Sequence, residues 1–168
     1  MQKIKGKTWV FPENVDTDMI NPGRYLKLSA DQAAKHIFEG IDPDFPSKFQ
    51  AGDIIVAGKN FGCGSSRESA PAAIKLSGIS AIISVFFARI FFRNAINLGL
   101  PVIECKEATR IEEGNEIEID FENGVIYNLT KNESYSTTIY PPYIQEIINH
   151  GGLVNMLERK LSNKEIKL

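Results

Sequence analysis

Gly58-Lys59-Asn60-Phe61-Gly62-Cys63-Gly64-Ser65-Ser66-Arg67-Glu68-Ser69 decides how the chain is read. It follows Ile54-Ile55-Val56-Ala57, a continuous apolar run that fits a strand buried on both faces. It precedes a helical pattern from about Ala70 to Ser77 that closes at Gly78. The same order then recurs. Ala81 to Val85 is a second buried strand, Phe86 to Leu98 is helical by period and stops at Gly99, and Val102-Ile103-Glu104 is a third strand. Strands alternating with helices predict an α/β fold with a mainly parallel sheet and crossover helices. In such sheets ligands bind beyond the carboxyl ends of the strands, which is where the glycine-rich stretch falls.

On the amino-terminal side, Trp9-Val10-Phe11 reads as a short strand closed by Pro12. Glu13 to Arg24, rich in Asp, Asn, Pro and Gly, reads as a loop, because it lacks the apolar period that buries a helix or strand face. Ser29 with Gln32 three residues on is a capping-box pattern, predicting a helix that ends at Gly40, and Asp42 to Ser47 is a connector with two prolines. Beyond the third strand the pattern changes. Ile117, Ile119 and Phe121 alternate with acidic residues, and Asn123-Gly124 then turns the chain into Val125 to Leu129, a hairpin signal. Ser134 to Tyr140 reads as a further strand, Tyr143 to Asn149 as an amphipathic helix after Pro141-Pro142, and Leu153 to Leu161 as a last short helix. The whole reads as a single domain over residues 1–168, an α/β unit with an antiparallel β extension.

Composition narrows the function. The 168 residues carry 19 basic against 21 acidic side chains, without the basic excess a nucleic-acid binder needs. The longest apolar run, Ile79 to Ala88, is far short of the ~20 residues a membrane helix requires. No apolar stretch follows the lysines of the first eight residues, so no secretory signal is expected and the compartment reading is cytoplasm. Cys63 and Cys105 then read as free thiols, and two cysteines are too few to ligate an iron–sulfur cluster.

Within the loop, glycine at 62 and 64 lets the backbone approach an anion and aim N–H groups at it, and Arg67 adds a planar fork that suits a carboxylate. The P-loop and dinucleotide fingerprints are both absent. Ser65 with Glu68 also fits a capping box, but a helix starting there would carry Pro71 into its second turn, where it clashes. Ser69 as the cap places Pro71 in the first turn and leaves Ser65, Ser66 and Arg67 without local duty.

Gly62 to Glu68, then Phe87-Ala88-Arg89-Ile90-Phe91-Phe92-Arg93-Asn94, and ahead of both Asn14-Val15-Asp16-Thr17-Asp18-Met19-Ile20 with Pro22-Gly23-Arg24-Tyr25-Leu26, resemble the swivelling domain of the aconitase superfamily. Length and motif order resemble its free-standing small-subunit form, as in the 3-isopropylmalate dehydratase and homoaconitase families. The match runs from about Lys7 to Glu104, with weaker support beyond. The resemblance implies a three-layer β/β/α domain and a hydro-lyase active only with a large subunit. It implies that Ser65 takes the proton from the carbon next to a carboxylate and that Arg67 grips a substrate carboxylate. Ser66, Gly64, Arg24 and Lys27 join in binding substrate. It also implies a [4Fe-4S] cluster on the partner and none on this chain.

The implied substrate is a hydroxy-dicarboxylate, isopropylmalate of leucine biosynthesis, or a hydroxy-tricarboxylate such as homoaconitate. An apolar residue at position 27 suits an isopropyl arm and a basic one a third carboxylate. Lys27 departs from the first pattern, although a lysine can present its methylene stem and keep its charge in water. A non-catalytic binding or regulatory module on the same fold is the alternative of another class. It should lack the serine or arginine of the glycine loop, and both are present. Neither nucleic acid nor membrane is an expected partner, and the isolated chain could form a homo-oligomer.

Other residues read as structural. Cys63 has no histidine near it in sequence to make it a nucleophile. His36 and His150 lack partners at metal-ligand spacing, and Asp16 with Asp18 are too few to hold Mg²⁺. Arg89 and Arg93 share a helical face and are expected to steady the loop or the other subunit. The phenylalanines 86, 87, 91 and 92 are expected in the core and at a subunit contact.

Overall fold

The apolar runs pair into one sheet in the computed structural model, which describes residues 2–162. In chain order the elements are β1 (Ile4–Phe11), one-turn helices α1 (Thr17–Ile20), α2 (Ala30–Ala33) and α3 (Phe45–Lys48), then β2 (Ile54–Phe61), α4 (Ser69–Ser77), β3 (Ala81–Phe87), α5 (Arg89–Leu98) and β4 (Val102–Glu104). The remaining elements are β5 (Glu116–Asp120), β6 (Val125–Asn128), β7 (Glu133–Ser136), α6 (Pro142–Asn149) and α7 (Leu153–Ser162).

The strand order is β4-β3-β2-β1-β5-β6-β7. From β1 to β4 every pairing is parallel, with Ile55 opposite Ile82 and Ile83 opposite Ile103. From β1 to β7 every pairing is antiparallel. β1 serves both halves, its Thr8–Phe11 end pairing with β2 and its Ile4–Lys7 end with β5. The three parallel steps all go the same way, so crossovers of one hand put α2, α4 and α5 on one face, where they touch in sequence. Residues 54–57 and 81–84 are nevertheless buried throughout, so the opposite face is covered as well. The antiparallel half folds back over it. Phe121, just past β5, stacks at 6.1 Å on Tyr140, whose hydroxyl bonds both the N–H and the carbonyl of Val102 in β4. Two β layers and one helical layer result, as the α/β reading with its antiparallel extension requires.

Local signals mark most boundaries. Gly78 and Gly99 end α4 and α5 in the left-handed conformation, and Gly124 turns the β5–β6 hairpin while Asp120 accepts from the N–H groups of Glu122 and Asn123. The Ser29–Gln32 capping box forms, but the helix it opens does not reach Gly40. It tightens into a 3₁₀ turn at Ala34–His36, and Phe38 takes φ +60. Ile37 and Phe38 are both fully buried, and adjacent helical residues point about 100° apart. The tertiary bond from Phe38 N–H to Ile20 O, with Phe38 among Phe11, Phe45 and Phe61, outweighs helix propagation.

Other expectations shift at their edges. The stretch Glu13–Arg24 contains α1 and a 3₁₀ turn, because Asp16 caps the former and Val15, Thr17 and Ile20 anchor it in the core. α3 begins inside the proline connector, with Pro46 in its first turn. β2 extends to Phe61 and β3 to Phe87, so the helix expected from Phe86 starts at Arg89. β7 ends at Ser136 instead of running to Tyr140, which turns inward to β4. Ser69 does not cap α4. Glu68 holds the cap position without a side-chain bond, and the Ser69 hydroxyl accepts from Asn21 Nδ2 at 3.2 Å.

Candidate active site

Strands β1, β2 and β3 all point their carboxyl ends at one place. After β1 comes the segment from Pro12 to Tyr25, after β2 the Gly62–Glu68 loop, and after β3 Ala88 and the start of α5. Converging backbone at that edge of a parallel sheet leaves N–H groups and side chains facing outward together. Gly62, at φ +79, makes the turn out of β2, and a Cβ there would lie 2.2 Å from Phe91 Cγ, so no side chain fits between loop and α5. Gly64, at φ +90, is open to solvent and needs glycine for its backbone conformation.

The two loops are sewn together. Gly62 N–H donates to Val15 O at 2.7 Å, Thr17 N–H to Cys63 O at 3.0 Å, and Asn14 N–H to Lys59 O at 2.8 Å. Thr17 Oγ1 stands 3.1 Å from Ser65 Oγ, and Arg67 Nη1 donates to Asp18 Oδ1 at 2.6 Å and to Asn21 O at 3.4 Å. Ser65 and Arg67 are therefore not free of local duty, as spacing alone suggested; each is held by the Asp16–Asn21 segment. Only one nitrogen of Arg67 is used among the described residues, so the rest of the fork remains available. The N–H groups of Gly64, Ser65 and Ser66 likewise meet no protein acceptor among the described residues.

Thr17, Ser65, Ser66, Arg67, Ile90 and Asn94 line a dent too small to enclose even a water molecule. Sites that enclose small molecules typically run to about 300–1,000 Å³, far more than this dent holds. Its chemistry is anion recognition beside a hydroxyl: three unspent N–H donors and a guanidinium can hold a carboxylate or an alkoxide. Cys63, next to these groups, is poorly suited to act as a thiolate. Burial pushes its thiol up, and the nearby charge of Asp16 adds to the effect.

Of the residues expected to meet substrate, Gly64, Ser65, Ser66 and Arg67 share this loop. Arg24 and Lys27 lie on and just after the 3₁₀ turn Gly23–Tyr25, whose Gly23 faces Asp18. Arg24 Nη2 donates to Glu39 Oε2 at 2.8 Å and its guanidinium lies 4.7 Å from the Tyr25 ring centre. Tyr25 stacks on His36 at 4.1 Å, and both also donate to Glu39, the tyrosine hydroxyl at 2.5 Å and His36 Nδ1 at 2.7 Å. Burial pushes the Glu39 carboxyl up, but the donors Tyr25, His36 and Arg24 together outweigh it and hold it at about 2. Lys27 is exposed and has no hydrogen-bond partner among the described residues. Arg89 and Arg93 are exposed and form no ion pair among them either.

Sequence reasoning missed Thr17, Asp18 and Glu39. Asp16-Thr17-Asp18 was visible as a motif, but only Asp16 has the loop-shaping role it suggested, accepting from Met19 N–H at 2.7 Å. Nothing local marks Glu39. No group of three or more His, Cys, Asp or Glu side chains among the described residues is placed to hold a metal ion.

The aconitase C-terminal domain family matches residues 12–108. The chain is 55% identical over 167 residues to the 3-isopropylmalate dehydratase small subunit of Thermodesulfovibrio yellowstonii, covering 98% of this chain and 99% of that one. It is 53% identical to small subunit 1 of the same enzyme from Archaeoglobus fulgidus, over 89% and 93% of the two chains. The crystal structure of 3-isopropylmalate dehydratase from Methanocaldococcus jannaschii superposes with a TM-score of 0.92 at 46% identity, over 98% of this chain and 99% of that one. Aconitase X from Thermococcus kodakaraensis, 16% identical, shares the fold at a TM-score of 0.51 over 82% of this chain and 91% of the other.

Proposed function

The chain belongs to the family of 3-isopropylmalate dehydratase small subunits, built on the aconitase C-terminal domain, and from that membership we propose how its loop takes part in the reaction. It is the small subunit of a hydro-lyase of leucine biosynthesis, and its large subunit completes the enzyme. The reaction moves a hydroxyl between neighbouring carbons by dehydration and rehydration. Each direction needs a base for the carbon-bound proton, a clamp for the substrate carboxylates and help for the departing hydroxyl.

The first two fall to this chain. Ser65, as its alkoxide, takes the proton from the carbon next to a carboxylate: the C–H bond breaks, its electron pair spreads into that carboxylate, and an O–H bond forms on Ser65. The N–H groups of Gly64, Ser65 and Ser66 stabilise the alkoxide, and Arg67 holds a substrate carboxylate. Ser66, Arg24 and Lys27 complete the substrate contacts from this side. The third falls to the large subunit. Two cysteines, one buried and one half-buried, are too few for a four-iron cluster, and a [4Fe-4S] cluster on the partner would supply Lewis acidity for the departing hydroxyl. No helix among the described residues is long and apolar enough to cross a membrane.

The observation that supports this division is the shallow dent: the base and the carboxylate clamp stand together at an open surface. Assaying the purified chain alone and after reconstitution with its large subunit tests it, following the conjugated alkene formed on dehydration by its ultraviolet absorbance. Activity should require both subunits. Turnover by the isolated chain would overturn the assignment.

A further inference from the structure

We propose that Thr17 is a positioning residue for Ser65, donating a hydrogen bond to the serine oxygen when that oxygen carries the negative charge; this rests on Ser65 being the base. Thr17 is buried at 2% exposure, on an element 48 residues from Ser65 in sequence. Its hydroxyl has no local work, since Asp16 caps α1 and the Thr17 N–H is bound to Cys63 O. Two oxygens lie within its reach, Ser65 Oγ at 3.1 Å and Ser65 O at 3.3 Å.

A threonine hydroxyl has one proton to donate, so the two contacts define two arrangements. With Ser65 protonated, its O–H donates to Thr17 Oγ1 and Thr17 donates to the Ser65 carbonyl. When Ser65 gives its proton to solvent water, the electron pair stays on Oγ, and the Thr17 hydroxyl turns from the carbonyl to the alkoxide. Thr17 neither gains nor loses a proton in the exchange. A hydrogen bond to a charged oxygen is roughly twice as strong as a neutral one, so the exchange favours the form of Ser65 that accepts a proton. The main-chain donors act from the loop itself, whereas Thr17 acts from the neighbouring segment and so couples the base to the loop-to-loop bond its own N–H makes to Cys63 O.

The test uses the reconstituted two-subunit enzyme with Thr17→Val, Thr17→Ser, Ser65→Ala and the double variant. Thr17→Val should lower kcat about 10- to 100-fold with KM within twofold, and the rising limb of the kcat–pH profile should move to higher pH. Thr17→Ser, which keeps the hydroxyl, should stay within about threefold of wild type. In a Ser65→Ala background, Thr17→Val should cost nothing more. If Thr17→Val fails to assemble, Thr17→Cys takes its place with the same expectation, since a thiol is a weak donor. Equal losses in the Val and Ser variants, an unmoved pH profile, or a further loss in the Ser65→Ala background would each reduce Thr17 to packing and overturn the proposal. Full activity in Ser65→Ala would instead overturn the reading of Ser65 on which it rests.

Discussion

The neighbouring serines of the glycine loop are chemically identical and differ only in what they touch. Ser65 has a buried hydroxyl beside it, while Ser66 has no side-chain partner among the described residues. Ser65→Ala in the reconstituted enzyme should therefore lower turnover by about 10²–10⁴-fold or more, and Ser66→Ala by much less, with both complexes intact by gel filtration. The reverse ranking would move the base to Ser66. Lys27 is the residue by which the reading of the substrate's variable arm is tested. It is exposed and unpaired among the described residues, so its charge sits in water and its methylenes are available to an isopropyl group. Replacement by valine should leave the ratio of kcat/KM for isopropylmalate over homoaconitate within about threefold. Had Lys27 paired a third carboxylate, a charge-assisted contact of about 1.5–3 kcal/mol would shift that ratio roughly ten- to a hundredfold.

At the scale of elements, α4 is tied to its neighbours by one side chain. Lys75, near its carboxyl end, donates to Leu98 O at the end of α5 and to Gly151 O in the turn before α7, the latter at 2.6 Å. Burial pushes its ammonium down, the cost of taking that group out of water. Lys75→Met should cost about 1–3 kcal/mol by leaving Leu98 O without a donor and Gly151 O with only Asn155 Nδ2 at 3.4 Å, read as a lower urea midpoint at unchanged m. The segment from Gly23 to Glu39 is tied differently, through one carboxylate with three donors. Glu39 sits at about 2 in the folded chain against an ordinary 4.5, so its contribution is fully present above pH 4.5 and is lost as pH falls from there toward 2. Thermal melts of wild type and Glu39→Gln should differ most above pH 4.5 and converge toward pH 2. A gap that stayed constant across that window would assign the loss to shape instead of charge.

The whole molecule is a sheet that changes character at β1. On one side every strand needs a helix to return it, and on the other tight turns and short connections suffice. The parallel side carries the proposed site because its carboxyl ends bring three separate loops together. The antiparallel side covers the other face of that sheet, closed by Tyr140 on β4. Burial holds the Tyr140 phenol well above its ordinary range. The proposed site thus lies on an exposed edge of the sheet, where a large subunit could reach it.

The residues by themselves determined whatever is settled within a few positions of chain. The alternation and runs of apolar side chains marked the strands, Gly78 and Gly99 the helix ends, Asn123-Gly124 the hairpin, and Pro71 the limit on where α4 starts. The loop around Ser65 and Arg67 stood out by its glycines, hydroxyls and guanidinium, while the roles assigned to them came from its resemblance to a family. What tertiary structure decided are the contacts between positions far apart. Thr17 meets Ser65, Asp18 meets Arg67, and Asn21 meets Ser69, each across 48 or 49 residues. The same long-range packing cut short the helix begun at Ser29, since burying Ile37 and Phe38 together was worth more than another turn of local hydrogen bonds. Local propensity is about 1 kcal/mol or less per residue, whereas fully burying one Ile or Phe side chain is worth about 1.5–3 kcal/mol, so the core chooses wherever the two compete.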